Sequence, residues 1–90
     1  MPDQTGHTAC VVAPPKSLPA HPNARRVKPK TGNGAGKRRR WQAEDGTIYE
    51  WDSQHGTVEV YDKRGHHQGE IDPNTGATTK EAIPGRRVEP

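Results

Sequence analysis

From Lys37 onward, apolar and polar positions fall into short alternating runs separated by turn-forming residues. The runs 38–42, 47–52, 57–61 and 67–71 have the period of two that marks half-buried strands. Between and after them stand Glu44-Asp45-Gly46, Gln54-His55-Gly56, Lys63-Arg64-Gly65 and Pro73-Asn74-Thr75-Gly76. Glycine supplies left-handed backbone there, and the short polar side chains bond to nearby amides. The spacing predicts a mainly β fold built on a small, highly twisted antiparallel sheet. Within 57–61 the alternation turns Val58 and Val60 to one face and Thr57, Glu59 and Tyr61 to the other. One face is apolar and the other is chemically equipped. The same parity sets Arg38 and Arg40 on a common side of the first strand.

Residues 1–36 carry no sustained period, hold six of the nine prolines and end in Thr31-Gly32-Asn33-Gly34-Ala35-Gly36. They read as a linker or a Pro/Gly-rich basic arm, with at most short helix around 18–27. Residues 37–90 read as the folded domain. The only aromatics are Trp41, Tyr49, Trp51 and Tyr61, so the core is expected among them, with both tryptophans as packing residues.

Composition sharpens this picture. A chain of 90 residues that is 27% hydrophobic has little core material, so dependence on a partner or a larger parent chain is expected. No run approaches the roughly 20 apolar residues of a membrane span, and no membrane contact by this domain is expected. Cys10 is the lone cysteine, which excludes a disulfide framework within the chain. Residues 25–40 carry eight basic side chains and no acidic one, whereas 41–90 carry five basic and ten acidic groups. A basic arm suits a polyanion, because each phosphate neutralised releases counterions; a solvated linker has the same composition.

RNA cleavage is one chemistry that these residue types can supply. The 2′-hydroxyl of RNA attacks its own 3′-phosphate when one group takes its proton, another protonates the leaving 5′-oxygen, and cations hold the phosphate charge. Histidine suits either proton role because its ordinary pKa of about 6.5 leaves both forms accessible. His55 and Glu59 lie four apart, on one strand face but roughly 13 Å apart if extended. A bend at Gly56 is therefore required, and it would fold Asp52 back to accept a ring N–H from His55. The residues alone more readily describe ordinary polar groups beside a hairpin turn. His66 and His67, being adjacent, point to opposite faces and make no metal site with Asp62 or Asp72; no metal or other cofactor is expected.

The segments Gly36-Lys37-Arg38-Arg39-Arg40-Trp41 and Ile48-Tyr49-Glu50-Trp51-Asp52-Ser53-Gln54-His55-Gly56, with Glu59, Tyr61, Gly69, Asp72-Pro73 and Thr75-Gly76, resemble the C-terminal cytotoxic domain of the colicin and cloacin ribosomal RNases. The likeness runs over about residues 29–88. It implies a twisted antiparallel sheet and a toxin endoribonuclease that cleaves small-subunit ribosomal RNA at the decoding region, making 37–90 the ribonuclease domain. It further implies Asp52, His55, Glu59 and Arg86 as catalytic residues, with Arg87 as the neighbouring alternative to Arg86. Glu59 is the favoured base and His55 the favoured acid, the exchange of roles remaining open. Arg38, Arg40, Tyr61 and Lys80 fall on positions that bind substrate or support the site, and His67 on a structural histidine. Implied partners are the ribosome, a cognate immunity protein and the remainder of a larger toxin, secreted by the producer and acting in the cytoplasm of the target bacterium. The chain departs from the family at Thr57, usually acidic there, in the turn after Tyr61, about one residue longer in the family, and past Val88, where the family carries a basic tail. Other readings are a related toxin RNase acting on tRNA or another RNA, and a non-catalytic ribosome- or RNA-binding module.

Overall fold

The computed structural model describes residues 11–32 and 36–90. Six strands follow one another: β1 (Arg25–Val27), β2 (Arg40–Gln42), β3 (Ile48–Asp52), β4 (Thr57–Tyr61), β5 (His67–Ile71) and β6 (Thr78–Glu81). Each pairs antiparallel with the next, giving one sheet in the order of the sequence, and no helix occurs among the described residues. The mainly β, antiparallel expectation holds.

Four of the connections share one device. Asp45, Asp52, Asp62 and Asp72 each turn a side-chain oxygen onto the amide two residues ahead, at Thr47, Gln54, Arg64 and Asn74, over 2.9, 2.9, 2.9 and 2.7 Å. An aspartate in this position replaces a missing backbone acceptor and fixes the hairpin register.

Two strands were not visible as patterns. β1 is Arg-Arg-Val and β6 is Thr-Thr-Lys-Glu, so neither alternates apolar and polar residues; they become strands because β2 and β5 offer them an open edge. The first expected strand also begins later, at Arg40, leaving Arg38 ahead of it and not on a shared strand face with Arg40.

The described part of the arm contributes to the core. Leu18 is 0% exposed and Ala24 is buried, and both belong to a core with Trp41, Tyr49, Trp51, Val58 and Ile71. Residues 12–24 therefore close over the apolar face of the sheet. Polar matching fixes this lid: the indole N–H of Trp51 donates to the Val12 carbonyl at 2.8 Å, and that of Trp41 to the Lys16 carbonyl at 3.3 Å. A buried indole needs such an acceptor. Cys10 and the first residues of the arm lie outside the described residues, as do residues 33–35. Leu18→Ala is expected to cost about 2–5 kcal/mol, the usual scale for a buried Leu truncation, measured as a fall in urea midpoint at constant slope. An unchanged midpoint would mean that the arm does not contribute to the core in solution.

The opposite face holds the polar residues. Register places Arg40, Glu50, Glu59, Glu70 and Lys80 side by side across five strands. The pairing shifts between Val60 and Tyr61, so that Tyr61 meets His67 rather than Gln68. This bulge changes the parity of β5 and delivers His67 to the face that carries Glu59 and Tyr61.

Candidate active site

The turn after β3 builds the first half of the site. Gly56 takes φ +66°, and its amide donates to the Asp52 carbonyl at 2.8 Å, which reverses the chain immediately after His55. Asp52 Oδ2 then lies 2.7 Å from His55 Nδ1, while Oδ1 accepts the amides of Gln54 and His55 at 2.9 and 3.3 Å. Burial pushes the Asp52 carboxyl up, but the His55 ring and then the amides of His55 and Gln54 outweigh it and hold it below the usual carboxylate range. An ionised Asp52 only accepts, so Nδ1 is the donor and Nε2 is left for another partner. The His55 side chain is 54% exposed, which makes that nitrogen reachable.

The sign of this shift sets a pH dependence. The folded pKa of Asp52 lies below its unfolded value, so its contribution to stability is present above about pH 4 and disappears as pH falls through the folded pKa. The stability difference between the parent chain and Asp52→Asn is therefore expected to shrink in acid, from about pH 5 to about pH 2, when followed by urea unfolding. A difference that stays constant across this range would contradict an ionised Asp52.

Glu59, on the polar face of β4, anchors the second half. Its Oε1 lies 2.8 Å from His67 Nε2, and its Oε2 lies 3.7 Å from Arg86 Nη2. The Ile83 amide donates to His67 Nδ1 at 2.9 Å, so the ring is unprotonated there and donates through Nε2. A buried, neutral His67 thus aims the Glu59 carboxylate, which agrees with the structural hydrogen bond expected of it. Tyr61 packs its ring edge-on to His67 at 5.2 Å. Burial raises the Tyr61 hydroxyl pKa while the adjacent Arg86 opposes the rise, leaving a protonated phenol beside the guanidinium.

Arg86 reaches the site through the C-terminal segment, which is tied down at two points. Its carbonyl accepts the His67 amide at 3.0 Å, and the Val88 amide donates to the Gly65 carbonyl at 2.9 Å. Gly65 has φ +87°, and any Cβ there would strike the Val88 carbonyl, so glycine is what lets this segment lie close. Arg87 is exposed and pairs through its backbone with His66, which distinguishes it from Arg86 at the carboxylate.

The remaining expected residues divide. Arg40 is buried and spends its guanidinium on Glu50, with Nε and Nη2 at 3.1 and 2.8 Å from Oε2, an oxygen that also accepts the Thr31 hydroxyl at 2.6 Å. It supports the polar face from within and presents no free guanidinium to a phosphate. Arg38 is half-exposed and donates its amide to the Thr31 carbonyl at 2.8 Å. Lys80 is exposed on β6 opposite Glu70.

One residue of this face was not singled out by its sequence. Glu70 is 3% exposed, beside Glu59 in the register, and offers a carboxylate oxygen within 4.8 Å of ligand atoms of Asp52 and His55. Its position follows from the pairing of β4 with β5, and the bulge beside it hides that pairing from simple alternation.

The sequence profile of the family described as Cytotoxic matches residues 12–89, a span that takes in the lid as well as the sheet. Over 65 residues the chain is 49% identical to colicin E3 of Escherichia coli, covering 68% of this chain and 12% of that protein. Colicin-E6 and cloacin of Escherichia coli are each 47% identical over 66 residues, covering 69% of this chain and 12% of the relative. The chain thus corresponds to a small part of the length of each relative.

Proposed function

Since the chain belongs to the Cytotoxic family, we propose that it is the RNA-cleaving domain of a larger toxin and that it cuts small-subunit ribosomal RNA at the decoding region without a metal ion. The observation that carries this reading is an exposed His55 oriented by Asp52, together with a Glu59 carboxylate held by His67 and Arg86, Asp52 and Glu59 sharing one face of the sheet by register. In the reaction, Glu59 takes the proton of the 2′-hydroxyl, whose oxygen attacks the adjacent phosphorus. His55 protonates the departing 5′-oxygen, and a cyclic phosphate remains on the upstream fragment. Asp52 keeps the ring turned and its reactive nitrogen outward. Arg86 balances the charge that develops on the phosphoryl oxygens, where a fixed cation contributes most.

Arg38 and Lys80 supply cations for neighbouring phosphates, while Arg40 and Tyr61 support the site from below. The basic stretch 25–40 adds affinity for RNA and makes that affinity salt-dependent. The same charge would attract an acidic immunity protein in the producing cell. The parent toxin is secreted by that producer, and this domain acts on ribosomes in the cytoplasm of the target bacterium.

Incubation of intact bacterial ribosomes with the chain, in buffer containing a chelator, tests the reading. Mapping of new RNA ends should find one dominant cut in the small-subunit RNA. Cuts confined to tRNA would favour the related-nuclease reading, and salt-sensitive binding without any cut would favour a non-catalytic module.

A further inference from the structure

The three carboxylates in the centre of the polar face are not equally compensated. Glu50 is matched by Arg40, and Glu59 by His67 and Arg86. Glu70 takes only the Thr79 hydroxyl, at 2.6 Å on Oε2; its Oε1 is buried without a partner, and among the described residues it has no ion pair. A buried carboxylate without a counter-charge is costly, and a bound cation relieves that cost.

The surroundings specify the kind of cation. Glu70 is more than nine-tenths buried, and one of its carboxylate oxygens shares a 4.8 Å cluster with a carboxylate oxygen of Asp52 and a ring nitrogen of His55. One imidazole and two carboxylates are a ligand set for a borderline-soft divalent ion, whereas magnesium prefers oxygen and retained water. Around zinc, ligand bonds of about 2.0–2.2 Å bring donor atoms to roughly 3.4 Å from one another. The exposed His55 side chain has the freedom to make that contraction. We propose that Asp52, His55 and Glu70 form a site for a zinc-type divalent ion, and that its occupancy silences RNA cleavage by taking the lone pairs of Asp52 and His55.

The silencing rests on the nuclease reading above, whereas the binding does not. Zinc would act here as a reversible blocker. It replaces the Nδ1 proton that His55 donates to Asp52, which passes to solvent, and a ring held by zinc no longer delivers a proton from Nε2 to the 5′-oxygen. Glu70 is the residue that turns an aspartate-histidine pair into a three-ligand site.

The test follows the histidine ring nitrogens by NMR while zinc chloride is added to the chain, because other histidines and Cys10 also attract zinc and only the His55 signals report this site. The His55 nitrogens are expected to shift with zinc and to stay put with magnesium. Glu70→Gln should weaken the zinc response of His55 by about tenfold or more, since even the loss of an outer partner costs a metal site about 10–100-fold. In parallel, zinc should suppress RNA cleavage relative to each variant's own rate in chelator, and at lower concentration for the parent chain than for Glu70→Gln. His55 signals unmoved by saturating zinc, or moved equally in Glu70→Gln, would overturn the site. Zinc binding at His55 that accelerates cleavage would leave the site standing and refute both the silencing and the metal-free reaction.

Discussion

His55→Ala and Glu59→Gln are each expected to lower the rate of RNA cleavage by about 10² to 10⁴-fold, the range for a group that transfers a proton in the transition state. The two losses should differ in their structural cost. His55 is largely exposed and bonded to one neighbour, so its truncation leaves the sheet intact. Glu59 is buried between His67 and Arg86, and for this reason the amide of the same size is the informative change. Gln can keep an oxygen toward the His67 N–H but carries no charge for Arg86 and no basic oxygen pair. Circular dichroism and urea midpoints should show both variants folded, and a cleavage assay should show both slow. Parental rates in both would refute the assigned roles.

Arg40→Met is expected to cost about 3–5 kcal/mol, the scale on which one partner of a buried ion pair is removed and the other left uncompensated. Glu50 would remain fully buried, with one oxygen already lacking a partner and the other reduced to the Thr31 hydroxyl. In a small domain with a total stability of roughly 5–15 kcal/mol, such a loss empties much of the native state. The double change Arg40→Met with Glu50→Leu should recover a large part of it, because replacing both partners removes the stranded charge. Urea unfolding of the single and double variants measures this. A double variant no more stable than Arg40→Met would mean that Arg40 acts by packing alone. The expectation from family position counted Arg40 among groups that bind substrate or support the site, and its burial against Glu50 favours the second of these.

These two predictions depend on different parts of the sequence being readable. The four hairpin turns were legible because an Asp or Gly at each break has a direct conformational consequence, and the Asp52 to His55 contact followed from Gly56 by the same reasoning. The tryptophans were legible as core because so little else in 37–90 could fill one. The lid was not. Leu18 and Ala24 are isolated among prolines, with no period to reveal their burial, and the acceptors for the two indoles are backbone carbonyls that have no side-chain signature.

β1 and β6 escaped for a related reason: pairing at an open edge requires backbone groups, not an apolar pattern. The bulge between β4 and β5 had the largest consequence for the site. Strict alternation places His67 on the same face as Gly69 and Ile71, away from Glu59, and the one-residue shift reverses that. Without the shift neither the aim of Glu59 nor the proximity of Glu70 to the turn is apparent. Sequence reasoning therefore located residues that lie within one turn of each other, and lost those that meet through an irregular register.

The measurement that bears most directly on the cleavage mechanism uses two versions of a ribosomal RNA substrate, one natural and one with a 2′-deoxy sugar at the cut. With chelator present, the natural RNA should be cut to leave a cyclic phosphate on the upstream fragment, and the deoxy version should remain whole. Cleavage of the deoxy substrate, or a new end bearing a free 3′-hydroxyl, would contradict attack by the 2′-oxygen and with it the roles given to Glu59 and His55.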